Sequence, residues 1–317
     1  MQHTQILEQF WQHICEPAKA DQSGQSDHAK QWNLQVKTLY AHQIAYPVAL
    51  RYLLEQRPSL PEFLTWVAQS EVDYQLAETS GNMNEGNEDD WVLTPEQIAF
   101  WNTHGYLVLP SVFDRQICAE TCQAICEFLG VQQDDPSSWQ LANQKKLGLM
   151  MPFYNHPRLN ANRESGRIRA AYRQLYGTDA LYKTIDHASF NPPLSSENPF
   201  SGSGLHWDVS LAQPMPDKFQ GLLYLTDCGP RDGAFHCVPG FHRQLADWLQ
   251  QLPAGANPRE TAEKTLVPKA VPGNAGDFVI WHQALPHCAT PNYGNKPRIV
   301  QYLTYIPDEY SDHEVWI

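Results

Sequence analysis

Gly204-Leu205-His206-Trp207-Asp208, with His287 and Arg298 far downstream, is the stretch that decides how this chain is read. In an extended strand residues i and i+2 share a face. His206 and Asp208 then present an imidazole nitrogen and a carboxylate oxygen side by side, while Trp207 points the other way. His287, from a distant strand, completes one triangular face of an octahedron. Such a two-histidine, one-carboxylate triad leaves the opposite positions open, as a non-haem Fe(II) oxygenase requires. Arg298 is placed for an acidic cosubstrate, its planar fork of donors suiting a carboxylate.

The text around the triad extends the pattern. It runs Gly221-Leu-Leu-Tyr-Leu-Thr-Asp227, Asp232-Gly-Ala-Phe-His-Cys-Val-Pro-Gly240-Phe-His-Arg243, Gly276-Asp-Phe-Val-Ile-Trp281, His287-Cys-Ala-Thr-Pro-Asn292 and Pro297-Arg298. Upstream lie Leu93-Thr-Pro-Glu-Gln-Ile-Ala-Phe-Trp101 and Gly105-Tyr-Leu-Val-Leu-Pro110. In this order the motifs, from about residue 93 to 307, resemble the phytanoyl-CoA dioxygenase family of Fe(II)/2-oxoglutarate-dependent oxygenases. The resemblance implies a double-stranded β-helix (jelly-roll) core with helices around it, Fe(II) held by His206, Asp208 and His287, and 2-oxoglutarate and O2 as cosubstrates. It implies hydroxylation of a C–H bond in a small-molecule substrate with release of succinate and CO2, and Arg298 binding the far carboxylate of 2-oxoglutarate. Asn191, ending a first core strand expected over Tyr182 to Asn191, stands where relatives place a polar residue against the cosubstrate. Where the family often has a serine after the distal histidine this chain has Ala289, and Thr290 is the alternative hydroxyl.

The residues read without the resemblance give a compatible fold. Phe219 to Leu225, Phe278 to Trp281 and Ile299 to Ile306 are short runs rich in aromatic, aliphatic and β-branched residues, punctuated by Asp232-Gly233, Pro239-Gly240 and Pro272-Gly273. This pattern predicts a mainly β chain with flanking helices, not alternating βαβ units. No Gly-rich phosphate loop appears.

Composition narrows the function. The chain has 317 residues, 42% hydrophobic, and a formal charge of -13. That charge argues against nucleic acid as a partner and disfavours a polyanionic coenzyme A thioester. No apolar run is long enough to span a bilayer, and Met1 to Glu8 lacks the basic and apolar regions of a signal peptide. A cytoplasmic monomer or homodimer, with no membrane partner, is the expectation. Seven cysteines without such a signal read as reduced thiols. Cys118, Cys122 and Cys126 recur along a helical pattern at no usual metal spacing and read as packing.

Two regions are expected. Residues 1–90 form a helical extension with helices over Ile6 to Ile14, Ala45 to Glu55 and Pro61 to Gln69, ending in a polar, acidic linker at 79–90. Residues 91–317 form the oxygenase domain, opened by a helix at Thr94 with Pro95 at its first position and Gln97 completing a capping box. His236, His242 and His282 read as structural histidines, and Trp207, Trp281, Met151, Phe153 and Tyr154 as packing or pocket aromatics and methionine. Asp208 speaks against halogenation, which needs that carboxylate gone. Desaturation, epimerisation and ring formation use the same ligands and stay open. A non-catalytic jelly-roll binding protein would lack one of the four key residues, and a cupin-like enzyme without 2-oxoglutarate would not need Arg298.

Overall fold

Alternation along three central strands sorts the interior into two layers. The computed structural model describes residues 3–17, 28–78, 91–311 and 313. Its largest sheet is antiparallel, in the order β1-β8-β5-β10-β4-β2. These strands are β1 (Tyr106–Leu109), β8 (Phe278–His282), β5 (Phe219–Tyr224), β10 (Arg298–Tyr302), β4 (Ala188–Asn191) and β2 (Met150–Met151). Leu222 and Tyr224 of β5, Val279 and Trp281 of β8, and Val300 of β10 pack into one apolar cluster. Phe219, Leu223, Phe278, Ile280 and Ile299 pack into another. A pleated strand turns successive side chains to opposite faces, so the sheet is covered on both sides.

The first cluster joins the large sheet to a second one of three strands, β7-β6-β9. These are β6 (Phe235–Cys237), β7 (Lys269–Val271) and β9 (His287–Ala289). Tyr224 ties the two sheets with its hydroxyl, which donates to the Val271 carbonyl at 2.7 Å and accepts from Phe235 N at 2.9 Å. The second cluster packs the outer face against helices Arg115–Leu129, Pro157–Arg163 and Gly166–Tyr176. Each large apolar side chain taken out of water there contributes roughly 1.5–3 kcal/mol. A further pair, β3 (Leu181–Lys183) with β11 (Tyr305–Pro307), forms a separate two-stranded sheet.

The antiparallel centre matches expectation, with two corrections. Helix occupies more of the described chain than strand does, so "mainly β" applies only to the core. The strand expected over Tyr182 to Asn191 is divided into β3 and β4 by a segment in which Ile185 packs against Ala45 and Tyr154. Likewise β10 ends at Tyr302 and β11 begins at Tyr305.

The helix opening at Thr94 has both halves of its capping box, Pro95 in its first turn and Gly105 as a left-handed C-cap at φ 72°. Cys118, Cys122 and Cys126 are buried in the outer cluster, and all seven cysteines are free thiols. N-terminally, helices His3–Cys15, Tyr46–Gln56 and Leu60–Glu78 correspond to the three expected, and His28–Ala41 is a fourth. Phe10, Leu39, Leu53 and Phe63 close a separate small core among them. This layer docks through Ala45, Tyr40 and Val48 against Tyr154 and Ile185, and through the Lys37–Asp308 ion pair at 2.8 Å. The expected linker at 79–90 lies outside the described residues. Among the described residues no helix is long and apolar enough to cross a membrane.

Candidate metal and cosubstrate site

The ligand motif is not held by a regular strand. His206 makes a single antiparallel bridge to His287, each amide donating to the other's carbonyl at 2.9 Å, and Asp208 follows in a bend. Bridge partners project to the same side of the pair, which brings the two imidazoles to 4.7 Å between ring centres. Trp207 points away as the i+1 residue must. It is buried, and its indole nitrogen donates to the Ala284 carbonyl at 3.0 Å.

The donor atoms of His206, Asp208 and His287 all lie within 4.8 Å of one another. Asp208 Oδ2 is 3.1 Å from His287 Nε2, and Oδ1 is 3.5 Å from His206 Nε2. Ligands bound at about 2.1 Å and at right angles sit about 3 Å apart. The tautomers fit as well. His206 Nδ1 lies 2.9 Å from the Gly204 carbonyl and His287 Nδ1 3.2 Å from the Leu285 carbonyl. A carbonyl only accepts, so each Nδ1 carries a proton, and with a metal bound each Nε2 would offer its lone pair to the centre.

Supporting residues orient the carboxylate. Gln220 Nε2 donates to Asp208 Oδ2 at 2.9 Å, and its Oε1 accepts from Trp281 Nε1 at 3.1 Å. Burial pushes the Asp208 carboxyl up, but the hydrogen bonds from His287 and Gln220 outweigh this and hold it well below the usual carboxylate range. Arg259, on helix Pro258–Thr265, donates to the carbonyls of Trp207 and Val209, both at 2.7 Å.

Arg298 lies on the inner face of β10, in the parity of Val300. It is 3% exposed; Nη1 reaches Ser189 Oγ at 3.4 Å and Nε has no partner. Burial works against its charge, but Tyr302, Tyr224 and Cys228 beside it outweigh this and push its pKa up. No carboxylate among the described residues pairs with it. A buried cation with an idle donor and no anion is what a carboxylate cosubstrate would satisfy.

A single cavity of about 410 Å³ is lined by His206, Asp208, His287 and Arg298, with Gln220 and Trp281 among its walls. Asn191 and Thr290 do not line it. Asn191 stands opposite Arg298 in the β4–β10 register, but its amide donates to the Thr290 carbonyl at 3.2 Å. Thr290 Oγ1 lies 3.5 Å from His236 Nδ1. Both side chains are thus engaged in holding the loop after β9. Ala289 does line the cavity. His236, His242 and His282 stand outside the donor cluster, and His282 pairs with Asp217. Of the aromatics and methionine singled out, Trp281 lines the cavity, and Tyr154 reaches it through a 2.9 Å bond to His187 Nε2. Met151 and Phe153 pack in the outer cluster.

Comparison with known proteins agrees. A Dictyostelium discoideum protein described as a candidate phytanoyl-CoA dioxygenase is 21% identical over 259 residues, covering 66% of this chain and 74% of its own. The structure of HygX from Streptomyces hygroscopicus with nickel and 2-oxoglutarate bound is 18% identical, with a TM-score of 0.51, over 70% of this chain and 90% of that one. The same protein with hygromycin B also bound gives 20%, 0.50, 69% and 90%. These two likenesses place the fold. The family model for phytanoyl-CoA dioxygenase matches residues 101–300, the span that holds the triad, Arg298 and all but the last two residues of both facing sheets. This is a 2-oxoglutarate-dependent non-haem iron dioxygenase, using Fe(II), 2-oxoglutarate and O2, and the chain belongs to the phytanoyl-CoA dioxygenase family.

Proposed function

We propose that the enzyme hydroxylates an unactivated C–H bond of a small or medium-sized metabolite. The substrate C–H becomes C–OH while 2-oxoglutarate and O2 become that oxygen, succinate and CO2. The observation that carries this is the convergence of three metal donors and a buried, anionless Arg298 on one cavity. His206, Asp208 and His287 hold the ion, and Arg298 takes the far carboxylate of 2-oxoglutarate. Iron with its cosubstrates supplies the oxidant. Gln220 and Trp281 keep Asp208 aimed, and the cavity walls position the C–H bond and exclude water. HygX, solved with nickel and 2-oxoglutarate, supports the same pairing of ion and cosubstrate. The two facing antiparallel sheets are read as a double-stranded β-helix, with residues 91–317 as the catalytic unit and 1–90 as a helical support.

The test is a panel of candidate metabolites scored by substrate-dependent succinate formation under 18O-labelled O2. Hydroxylation gives a product heavier by one labelled oxygen. A product lighter by two hydrogens, or isomeric with the substrate, refutes hydroxylation while leaving the enzyme class intact.

A further inference from the structure

Asp186 and His187, in the irregular segment between β3 and β4, line the same cavity as the metal donors. Sequence reading gave them no role. Among the described residues the only hydrogen-bond donor to the Asp186 carboxylate is Thr184 Oγ1, and no basic side chain forms an ion pair with it. Arg163 is nearby, but it donates to the Asp186 main-chain carbonyl at 3.1 Å and to Asn160 Oδ1 at 2.8 Å. His187, whose Nε2 is bonded to Tyr154, is kept below its usual pKa by burial, so it adds no full positive charge at neutral pH.

Charge balance inside the cavity then points outward. On the proposed function, a divalent ion and the Arg298 guanidinium offset Asp208 and the dianionic cosubstrate. Among the ionised residues that line the cavity, Asp186 is left over. A carboxylate in a confined cavity favours a cation brought by the ligand. The formal charge of -13 favours cations over anions around the protein as a whole. We propose that the substrate carries a protonated amine, read by the Asp186 carboxylate with His187 beside it as a neutral hydrogen-bonding partner. The site rejects anionic chains such as acyl thioesters of polyphosphate carriers.

This rests on the iron and 2-oxoglutarate reading, so the experiment separates the two. Nickel-loaded protein is first titrated calorimetrically with 2-oxoglutarate; absence of binding there refutes the cosubstrate reading itself. The saturated complex is then titrated with ethanolamine, putrescine and glucosamine, with the N-acetyl counterparts of ethanolamine and glucosamine, and with short carboxylates. Amines should bind at least about tenfold more tightly than their acetylated partners. Asp186→Asn should abolish that preference and Asp186→Glu should retain part of it. Equal binding of acetylated or anionic probes, an undiminished preference in Asp186→Asn, or no binding of any amine overturns the proposal.

Discussion

Arg259 grips Asp208 from behind without touching its carboxylate: its two terminal nitrogens bond the main-chain carbonyls immediately before and after that residue, both at 2.7 Å. The bend that carries Asp208 has no ladder of its own, so this fork substitutes for the missing strand partner. Arg259→Ala should weaken metal binding on the order of 10–100-fold, as loss of a ligand's support does elsewhere. Lys reaches one carbonyl at a time and should restore only part. Manganese titration of the metal-free protein checks this; equal affinity in all three proteins would show that the bend is self-supporting.

Asp208→Ala removes an anionic ligand at a half-exposed position. Metal affinity should fall and substrate-dependent succinate formation should cease, while the melting temperature of the metal-free protein stays close to wild type. Equal turnover in mutant and wild type would remove Asp208 from the ligand set.

Arg298→Ala should raise the 2-oxoglutarate concentration needed for half-saturation by on the order of 2–5 kcal/mol in binding free energy, and Lys should recover a fraction. An unchanged requirement would move the carboxylate site away from β10.

Acid should unfold the protein partly through His242. Burial, then His282, Arg243 and His104 nearby, hold it down to about 4, against a hydrogen bond with the Asn102 backbone. An unfolded histidine takes its proton near pH 6.5. Between about pH 6.5 and 4 the unfolded chain therefore binds more protons, and stability declines as pH falls through that window. His242→Gln should flatten the decline by about 1–2 kcal/mol after allowing for solvent screening of a partly buried ring. Urea unfolding of metal-free protein at a series of pH values measures it, and parallel curves would exclude His242.

Much of the site was legible because ligand chemistry is written in residue types. His206, Asp208, His287 and Arg298 are distinguishable in the sequence and do meet at one cavity. The mechanism of their meeting was not legible. Sequence reasoning put His206 and Asp208 on one strand, whereas a bridge to His287 and a bend bring them together. Pairing across the chain leaves no local mark. Gln220 was hidden because a polar residue within an apolar strand has the same spelling whether it faces solvent or a ligand. Asn191 and Thr290 were the converse: their types suit a cosubstrate, but the loop after β9 uses their polar groups first. Asp186 was lost inside a stretch read as one continuous strand.

The alternation along β10 has a consequence for how this enzyme can change. Arg298, Val300 and Tyr302 face inward, while Ile299, Gln301 and Leu303 face the helices, with Gln301 Nε2 bonded to the Leu159 carbonyl at 2.8 Å. Deleting one residue within the strand would deliver a guanidinium into the helical layer and an isoleucine to the cosubstrate, so the strand is closed to insertion and deletion. The segments Gly148–Met150 and Asp186–His187 line the same cavity under no such parity. New substrates are therefore to be sought by rewriting these segments, with the pleat left as inherited grammar.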